Sequence, residues 1–198
     1  MSISDAQDLL HLASTERNRL RRHLLVAAAL RGALAVEPVV VGGTAEEYWT
    51  SDEYHQTDLD LCAPVGKAER MVLGLLGFRK SGRHWESPAL HVAVEFPESE
   101  IDGDFARTEL IQVGAGAARV IGREDLYMDR VLQATSDSGE SSRFQSAMAI
   151  AVACYELMDW PYVAARLREI KQQNSFLGAS AGKIDSKVRR RARAQLSS

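Results

Sequence analysis

The residues best suited to chemistry are two aspartates, Asp58 and Asp60, that flank a single leucine. Their run, TDLDLCA, alternates polar and apolar residues, which predicts a β-strand whose successive side chains point to opposite faces. Asp58 and Asp60 would then share one face, about 7 Å apart at the backbone. Carboxylates that close repel each other, and a divalent cation is the usual compensation. The spacing favours a metal site, and a solvated strand face is the alternative.

A third carboxylate on a neighbouring strand would complete an oxygen-rich site for one or two Mg²⁺ ions. The run HVAVE alternates in the same way and ends in Glu95, which places His91, Ala93 and Glu95 on one face. We therefore expect Glu95 to be the third acid of the site. The alternative is that it is an exposed strand end.

Two neighbouring glycines, Gly42 and Gly43, end the short apolar run VVV, which is typical of a buried strand. Without a Cβ, the backbone can approach a phosphate, and the helix predicted over TAEEYWTS offers its N-terminal N–H groups. Thr44 is placed to cap that helix. A triphosphate at this turn would reach metals held by Asp58 and Asp60, which is a standard design for nucleotidyl transfer. A purely structural turn is compatible with this function.

Hydrophobic periodicity and turn residues predict the elements that must position these groups. Helical spacing covers residues 3–35, and KAERMVLGLLGF forms a short helix that ends near Gly77. Four strands are predicted over FRKSGRHWES, LHVAVEFP, TELIQV and ARVIG. After Gly122 helical spacing dominates. SDSGESS is predicted to be a loop and GASAG a flexible joint before a helical tail from Lys183.

These patterns predict an α+β fold in which a small mixed β-sheet is flanked by helices and followed by a C-terminal helical unit. Residues 1–36 would form an N-terminal helical segment and residues 37–121 the α/β core. Residues 122–198 would form the helical unit with its basic tail.

Composition places the chain among ordinary globular proteins, since 45% of its residues are hydrophobic and 26% are charged. A net charge of −3 excludes a polycation that binds nucleic acid by default. No apolar stretch reaches about 18 residues and no signal-peptide pattern is present, so we expect a soluble cytoplasmic protein without a membrane partner. Cys62 and Cys154 match no metal or redox spacing and are expected to be buried free thiols.

The order of these motifs resembles that of the DNA polymerase β-type nucleotidyltransferase superfamily. Its pattern is Gly-Gly or Gly-Ser after a strand, a short helix, two acids that flank an apolar residue, and a third acid on a later strand. The residues that meet it are Gly42, Gly43, Thr44, Asp58, Asp60 and Glu95. One departure is that Gly43 stands where many members have Ser, so Thr44 would supply the hydroxyl.

In finer detail the chain is similar to a group of small, mostly uncharacterised bacterial and archaeal nucleotidyltransferase-like proteins. These proteins are close to the AbiEii-type and MenT-type toxins of toxin–antitoxin systems. The similarity spans residues 37–160, and the segments that carry it are VVGGTAEEYWT, TDLDL, LGF, GRHW, VEFP and VIGREDLYMDRV.

The resemblance implies a Mg²⁺-dependent nucleotidyltransferase, with two ions, that moves NMP from an NTP to a hydroxyl acceptor. The implied catalytic and metal-binding residues are Asp58, Asp60 and Glu95. The implied nucleotide-binding residues are Gly42, Gly43, Thr44 and Arg83. The acceptor would be a tRNA, a protein or a small molecule, and a cognate antitoxin would be a further partner. The alternative is a catalytically silent nucleotide-binding or partner-binding module on the same fold.

Several charged and aromatic residues near these motifs have two open interpretations. Arg83 is suited to bind a phosphate and Trp85 to stack on a base, but Arg83 is equally suited to solvent and Trp85 to the core. Single histidines such as His55 and His91 are more often ordinary hydrogen-bonding residues than ligands.

Two charged segments beyond the motifs also have two open interpretations each. Asp129 and Arg130 either support the nucleotide cleft from outside or form a surface charge pair. The tail arginines either belong to a solvated helix or contact RNA phosphates. These arginines are Arg189, Arg190, Arg191 and Arg193.

Overall fold

The computed structural model describes residues 2–51, 58–137 and 140–197. His55, Thr57 and two residues of the predicted loop SDSGESS lie outside these ranges. The described residues divide into two compact units: residues 2–48 with 58–121, and residues 49–51 with 122–197. No helix in the described part of the chain has the length and apolarity needed to cross a membrane.

Eight α-helices and seven β-strands are found in the described residues. The helices are α1 (Ile3–Thr15), α2 (Arg19–Ala33), α3 (Gly42–Thr50), α4 (Lys67–Leu75), α5 (Arg123–Ala134), α6 (Ser142–Cys154), α7 (Trp160–Gln173) and α8 (Ser175–Leu196). The strands are β1 (Val39–Val40), β2 (Asp58–Cys62), β3 (Arg79–Ser81), β4 (His84–Ser87), β5 (Val92–Glu95), β6 (Glu109–Val113) and β7 (Gly116–Val120).

The strands form one mixed sheet in the order β3-β4-β5-β2-β1-β7-β6. β2 runs parallel to β5 and β1 runs parallel to β7, while the remaining neighbours are antiparallel. The predicted fold class, an α+β fold with a small mixed sheet, flanking helices and a C-terminal helical unit, is confirmed.

The N-terminal helical stretch is divided into two helices. Asn18 ends the link between them, and its side-chain oxygen accepts a hydrogen bond from the Arg21 N–H at 2.8 Å. A side chain that satisfies an otherwise unpaired first-turn N–H begins a new helix at this point. Every residue from Leu24 to Leu30 in α2 is buried, because α2 packs against α1 as well as against β6 and β7.

The prediction of a single strand over FRKSGRHWES was wrong. Gly82 has a φ of 57°, a conformation that favours glycine, and it turns the chain between β3 and β4. Ser81 pairs with His84 in the resulting hairpin. The turn matters for the site because it places Arg83 at the end of the hairpin whose second strand pairs with β5.

The prediction of a flexible joint at GASAG was also wrong, because these residues lie inside α8. A Cβ on Gly178 would overlap the backbone of Lys171 in α7. The small residues therefore allow two helices to approach closely, which outweighs the helix-weakening effect of glycine.

This close approach predicts opposite effects for two substitutions in α8. Gly178→Ala is expected to lower the free energy of unfolding by about 1–3 kcal/mol, because the added methyl group meets backbone atoms. Gly182 has no heavy atom within 4 Å of an added Cβ, so Gly182→Ala is expected to raise stability by about 0.5–1 kcal/mol. Urea unfolding of both variants measures the difference. Equal stability of the two would contradict the close packing at Gly178.

Both cysteines are buried and free, which confirms the prediction. Burial raises the pKa of the Cys62 thiol to about 11. It also raises the pKa of the Cys154 thiol. Neither thiol is therefore ionised near neutral pH, as befits small apolar core groups.

Candidate active site

Strand pairing brings the three predicted acids to one region of the sheet. In the parallel pair formed by β2 and β5, Asp58 stands opposite Ala93 and Asp60 stands opposite Glu95. Residues in register across neighbouring strands share a face, so all three carboxylates project from the same side.

The opposite face of the same strands is the packed core. Leu59, Leu61 and Val94 have no measurable exposure, whereas Asp58, Asp60 and Glu95 are half-buried. Because the apolar neighbours fix the strands, the alternation forces the carboxylates outward, and a one-residue slip would reverse both faces.

The glycine turn and Asp60 are in direct contact. Gly42 has a φ of 61°, and a Cβ added there would overlap the Asp60 carboxylate oxygen Oδ2. The backbone of Val41 also donates a hydrogen bond to the Asp60 carbonyl at 3.0 Å. Only glycine therefore satisfies both requirements at position 42, a left-handed backbone and the close approach of a carboxylate.

Thr44 does not cap α3, so that prediction was wrong. The helix begins at Gly42, and Thr44 therefore lies within its first turn. The Thr44 side chain is 2% exposed, and its Oγ1 lies 2.9 Å from Nδ1 of His23. The half-buried backbone of Gly42 is more accessible than Gly43 or Thr44, which are both buried.

His23 is a site neighbour that the sequence analysis did not identify. It lies in α2 between Arg22 and the apolar run that begins at Leu24, and it carries no motif of its own. Burial is the main cause that lowers its pKa to about 4, and the charges of Arg19 and Arg22 act in the same direction, while Asp58 opposes them. The imidazole is therefore neutral at pH 7 and supports the glycine turn through Thr44.

The lowered pKa of His23 predicts an acid-dependent loss of stability. In the unfolded chain His23 binds a proton near pH 6.5, so the unfolded state carries more protons between pH 6.5 and about 4. The free energy of unfolding is therefore expected to fall by about 3 kcal/mol as the pH drops through this window. Denaturant titrations of the wild type and of His23→Asn at pH values from 7 to 4 measure this pH dependence of the free energy of unfolding. An unchanged pH slope in the variant would contradict the assignment.

The Glu95 carboxylate lies beside two side chains of the β3–β4 hairpin. Its Oε2 lies 3.2 Å from Nε of Arg83 and 3.7 Å from Nδ1 of His84, and His84 is in register with Glu95 across β4 and β5. Arg83 Nε also donates to His84 Nε2 at 3.1 Å. With Nε2 accepting, the imidazole proton lies on Nδ1, which is buried, has no hydrogen-bond partner among the described residues and faces Glu95.

Arg83 joins the acids to a cavity of about 510 Å³. The cavity lies where the chain leaves the carboxyl ends of β2 and β5, the edge at which open α/β sheets usually bind ligands. Its cationic lining residues are Arg70, Lys80 and Arg83. The Arg83 side chain is 72% exposed, which leaves its guanidinium accessible to an anion.

Trp85 lines the same cavity but is only 7% exposed. Lys80 Nζ lies 5.3 Å from its ring centroid. Trp85 stands opposite Val94 on the core face of the sheet. The core interpretation of Trp85 is therefore confirmed.

The donor set fits Mg²⁺ in part. Asp58 and Asp60 supply hard oxygen ligands side by side, and Mg²⁺ is usually held by one or two carboxylates together with substrate phosphates. Among the described residues, no group of three or more His, Cys, Asp or Glu side chains is arranged so that it could hold a metal ion. Glu95 contacts Arg83 and would have to leave it to become a third ligand.

The remaining candidate residues from the sequence lie outside β2 and β5, the strands that carry the three acids. His91 is not in a strand, because β5 begins at Val92, and its φ of 50° places it in the turn before β5. In the C-terminal unit Asp129 Oδ2 contacts Arg130 Nη1 at 3.0 Å. Both Asp129 and Arg130 also bond Gln133. His55 lies outside the described residues.

Comparisons with known proteins support the fold. No protein-family model and no curated protein sequence matches the chain. Among solved structures it is similar to an antigenic nucleotidyltransferase-like protein from Paracoccidioides brasiliensis, with a TM-score of 0.56 and 12% identity over 84% of this chain and 93% of that one. It is also similar to the antibiotic-resistance factor ANT(2'')-Ia, with a TM-score of 0.51 and 12% identity over 88% and 97%. The chain therefore has the fold of nucleotidyltransferase-like proteins.

Proposed function

We propose that the protein is a Mg²⁺-dependent nucleotidyltransferase that moves NMP from an NTP to a hydroxyl acceptor and releases pyrophosphate. The observation that carries the proposal is the contact between the Gly42 turn and the Asp60 carboxylate. A turn that only joined a strand to a helix would need no carboxylate against it. Asp58 on the same face and Glu95 in register across the sheet support the assignment.

The Gly42 turn would bind the triphosphate. The space that a Cβ would take at position 42 is filled by the Asp60 carboxylate. A phosphate would therefore approach the turn through its backbone N–H groups, beside that carboxylate and the metal it would hold. The first N–H groups of α3 lie immediately beyond the turn and carry the positive end of the helix dipole. Thr44, whose hydroxyl lies against His23, would hold the turn in shape.

The reaction would proceed by in-line displacement. The acceptor oxygen bonds to the α-phosphorus, the bond from that phosphorus to the oxygen bridging to the β-phosphate breaks, and pyrophosphate leaves with that electron pair. Asp58 and Asp60 would hold two Mg²⁺ ions, which supply positive charge to the phosphoryl oxygens and the leaving group. Glu95 would accept the hydroxyl proton.

Arg83 connects nucleotide binding to Glu95. It contacts the Glu95 carboxylate, and its exposed guanidinium is suited to bidentate contact with a phosphate. An incoming phosphate would draw Arg83 from Glu95 and release the carboxylate for the metal and the acceptor.

The acceptor and the biological role are further parts of the proposal. A tRNA, a protein side chain or a small molecule each offers the required hydroxyl, and the reaction would take place in the cytoplasm, where NTPs are available. A toxin held in check by a cognate antitoxin is one role that the resemblance in sequence suggests. Growth arrest on expression, relieved by an adjacent regulator gene, would support this role, and harmless expression without that neighbour would contradict it.

Transfer of a labelled nucleotide tests the proposal directly. The protein is incubated with Mg²⁺, each α-labelled NTP in turn, and either total RNA or cell extract. Label in RNA, protein or a small molecule identifies the acceptor class. Mg²⁺-dependent NTP binding that Asp58→Ala/Asp60→Ala abolishes, without any labelled product, would identify the catalytically silent alternative. Equal NTP binding by both forms would contradict the site itself.

A further inference from the structure

A cationic groove lies between α7 and α8 in the C-terminal unit. We call it the α7–α8 groove, and its volume is about 570 Å³. Its charged lining residues are Arg168, Lys171, Lys183, Lys187 and Arg190. None of its described lining residues is acidic, and Leu167 together with small residues such as Gly178 and Gly182 forms the rest of its wall. A protein with a net charge of −3 thus gathers five cations along one surface.

Most of these cations have no counter-ion among the residues that the structure describes. Arg168, Lys171, Lys183 and Arg190 are exposed, and none of the four forms an ion pair with a described residue. Like charges gathered without carboxylates repel one another, and the folded chain gains nothing from the arrangement. An external polyanion would supply the missing charge.

Two other tail arginines, Arg189 and Arg191, form contacts inside the C-terminal unit, whereas Arg190 lines the groove. Arg191 contacts Glu140, and Arg189 lies 3.7 Å from Asp185 and 4.6 Å from the Trp160 ring centroid. Asp185 is buried and accepts a hydrogen bond from the Tyr127 hydroxyl at 2.9 Å. These contacts fix the rotation of α8 about its axis and leave the groove residues facing solvent.

An exposed aromatic residue continues the line of cations. Phe176 is 82% exposed near the start of α8. It precedes Lys183 by seven residues and Arg190 by fourteen, so the three share one helix face. The line from Phe176 to Arg190 is about 21 Å long at 1.5 Å per residue.

We propose that the α7–α8 groove, together with Phe176, binds single-stranded nucleic acid. The lysines and arginines would follow the phosphates, and Phe176 would stack on an unpaired base, which is the combination that single-strand binders use. The surface would bind nucleic acid whether or not the chain transfers nucleotides. Its test is therefore separate from that of the proposed function.

The geometry favours a single strand over a duplex or a membrane. A stacking role for Phe176 requires a base that is not paired within a duplex. A helix that lies on a bilayer needs a broad apolar face, but the apolar face of α8 is already used, since Ala181, Val188 and Ala192 are buried.

Fluorescence anisotropy with the full chain tests the proposal. The probes are a labelled single-stranded RNA, the DNA of the same sequence, its duplex, and vesicles of anionic lipid, each in low and high salt. The groove variant is Lys171→Gln/Lys183→Gln/Arg190→Gln. The control, Arg17→Gln/Lys67→Gln/Arg79→Gln, removes the same charge at exposed positions outside the groove. A third variant, Phe176→Ala, removes the aromatic ring without changing the charge.

The groove variant is expected to bind single strands at least 10-fold more weakly than the control. Its salt dependence should also fall, with a loss of about 2 in the slope of log K against log salt for three phosphate contacts. Phe176→Ala should weaken single-strand binding by about 5-fold or more and leave duplex binding unchanged. Absence of single-strand binding in low salt, equal loss in the groove and control variants, or a preference for duplex or vesicles would overturn the proposal.

Discussion

Replacement of Asp60 by asparagine is expected to reduce the rate of NMP transfer by a factor of about 10³, with the fold retained. Asparagine has nearly the shape of aspartate and fits the same space against Gly42. It removes the negative charge that would hold Mg²⁺ beside Asp58 and leaves one carboxylate where two are needed. The labelled-NTP assay measures the rate, and a denaturant titration of Asp60→Asn checks that the protein is folded.

Glu86 provides a matched control for this prediction. It lies on β4 opposite Ala93, and Ala93 in turn stands opposite Asp58, so its carboxylate projects from the same sheet face two strands away. Glu86→Gln removes one charge from that face without touching the proposed site and is expected to retain at least about half of the activity, since surface charges act weakly at this distance. An equal loss of transfer activity in Asp60→Asn and Glu86→Gln would show that Asp60 acts only through the overall electrostatic field of the protein. Full activity of Asp60→Asn would rule out its metal role.

Local patterns predicted the parts of the site that depend on local geometry. Alternation along β2 and β5 was enough to place Asp58 with Asp60 on one face of β2 and to place Glu95 on one face of β5. The alignment of Asp60 with Glu95 was only an expectation, because strand register depends on packing between residues far apart in the chain. The paired glycines predicted an unusual backbone conformation at the turn. The contact of Gly42 with Asp60 could not be predicted in the same way, because it joins residues that are far apart in the sequence.

The errors have the same physical origin. Glycine is a weak helix former, so GASAG was predicted to be a joint, yet the gain from close packing of α7 and α8 outweighs that preference. Gly82 lies in the mostly polar run FRKSGRHWES, where the Ser-Gly dipeptide is the local signal that could have indicated the hairpin. His23 lies in no motif, and His84 lies in GRHW without a predicted role, since burial beside Thr44 and register with Glu95 appear only in three dimensions.

Gly42→Ala is expected to combine a loss of stability with a loss of activity. A left-handed backbone costs a residue with a Cβ about 1–2 kcal/mol, and the added methyl group must also displace the Asp60 carboxylate. A displacement of about 1 Å at a reacting centre costs roughly 100-fold in rate. Urea unfolding and the labelled-NTP assay measure the two effects separately.

Gly77→Ala separates backbone strain from the contact with Asp60. Gly77 also has a positive φ, 87°, but nothing lies within 4 Å of an added Cβ, so its replacement should lower stability while leaving the activity of the folded protein intact. A double-mutant cycle gives the sharper test. In an Asp60→Ala background the carboxylate is gone, so the stability cost of Gly42→Ala should fall toward that of Gly77→Ala. If the cost of Gly42→Ala were the same in both backgrounds, the turn and the aspartate would be energetically independent. The observation on which the proposed function rests would then be coincidental.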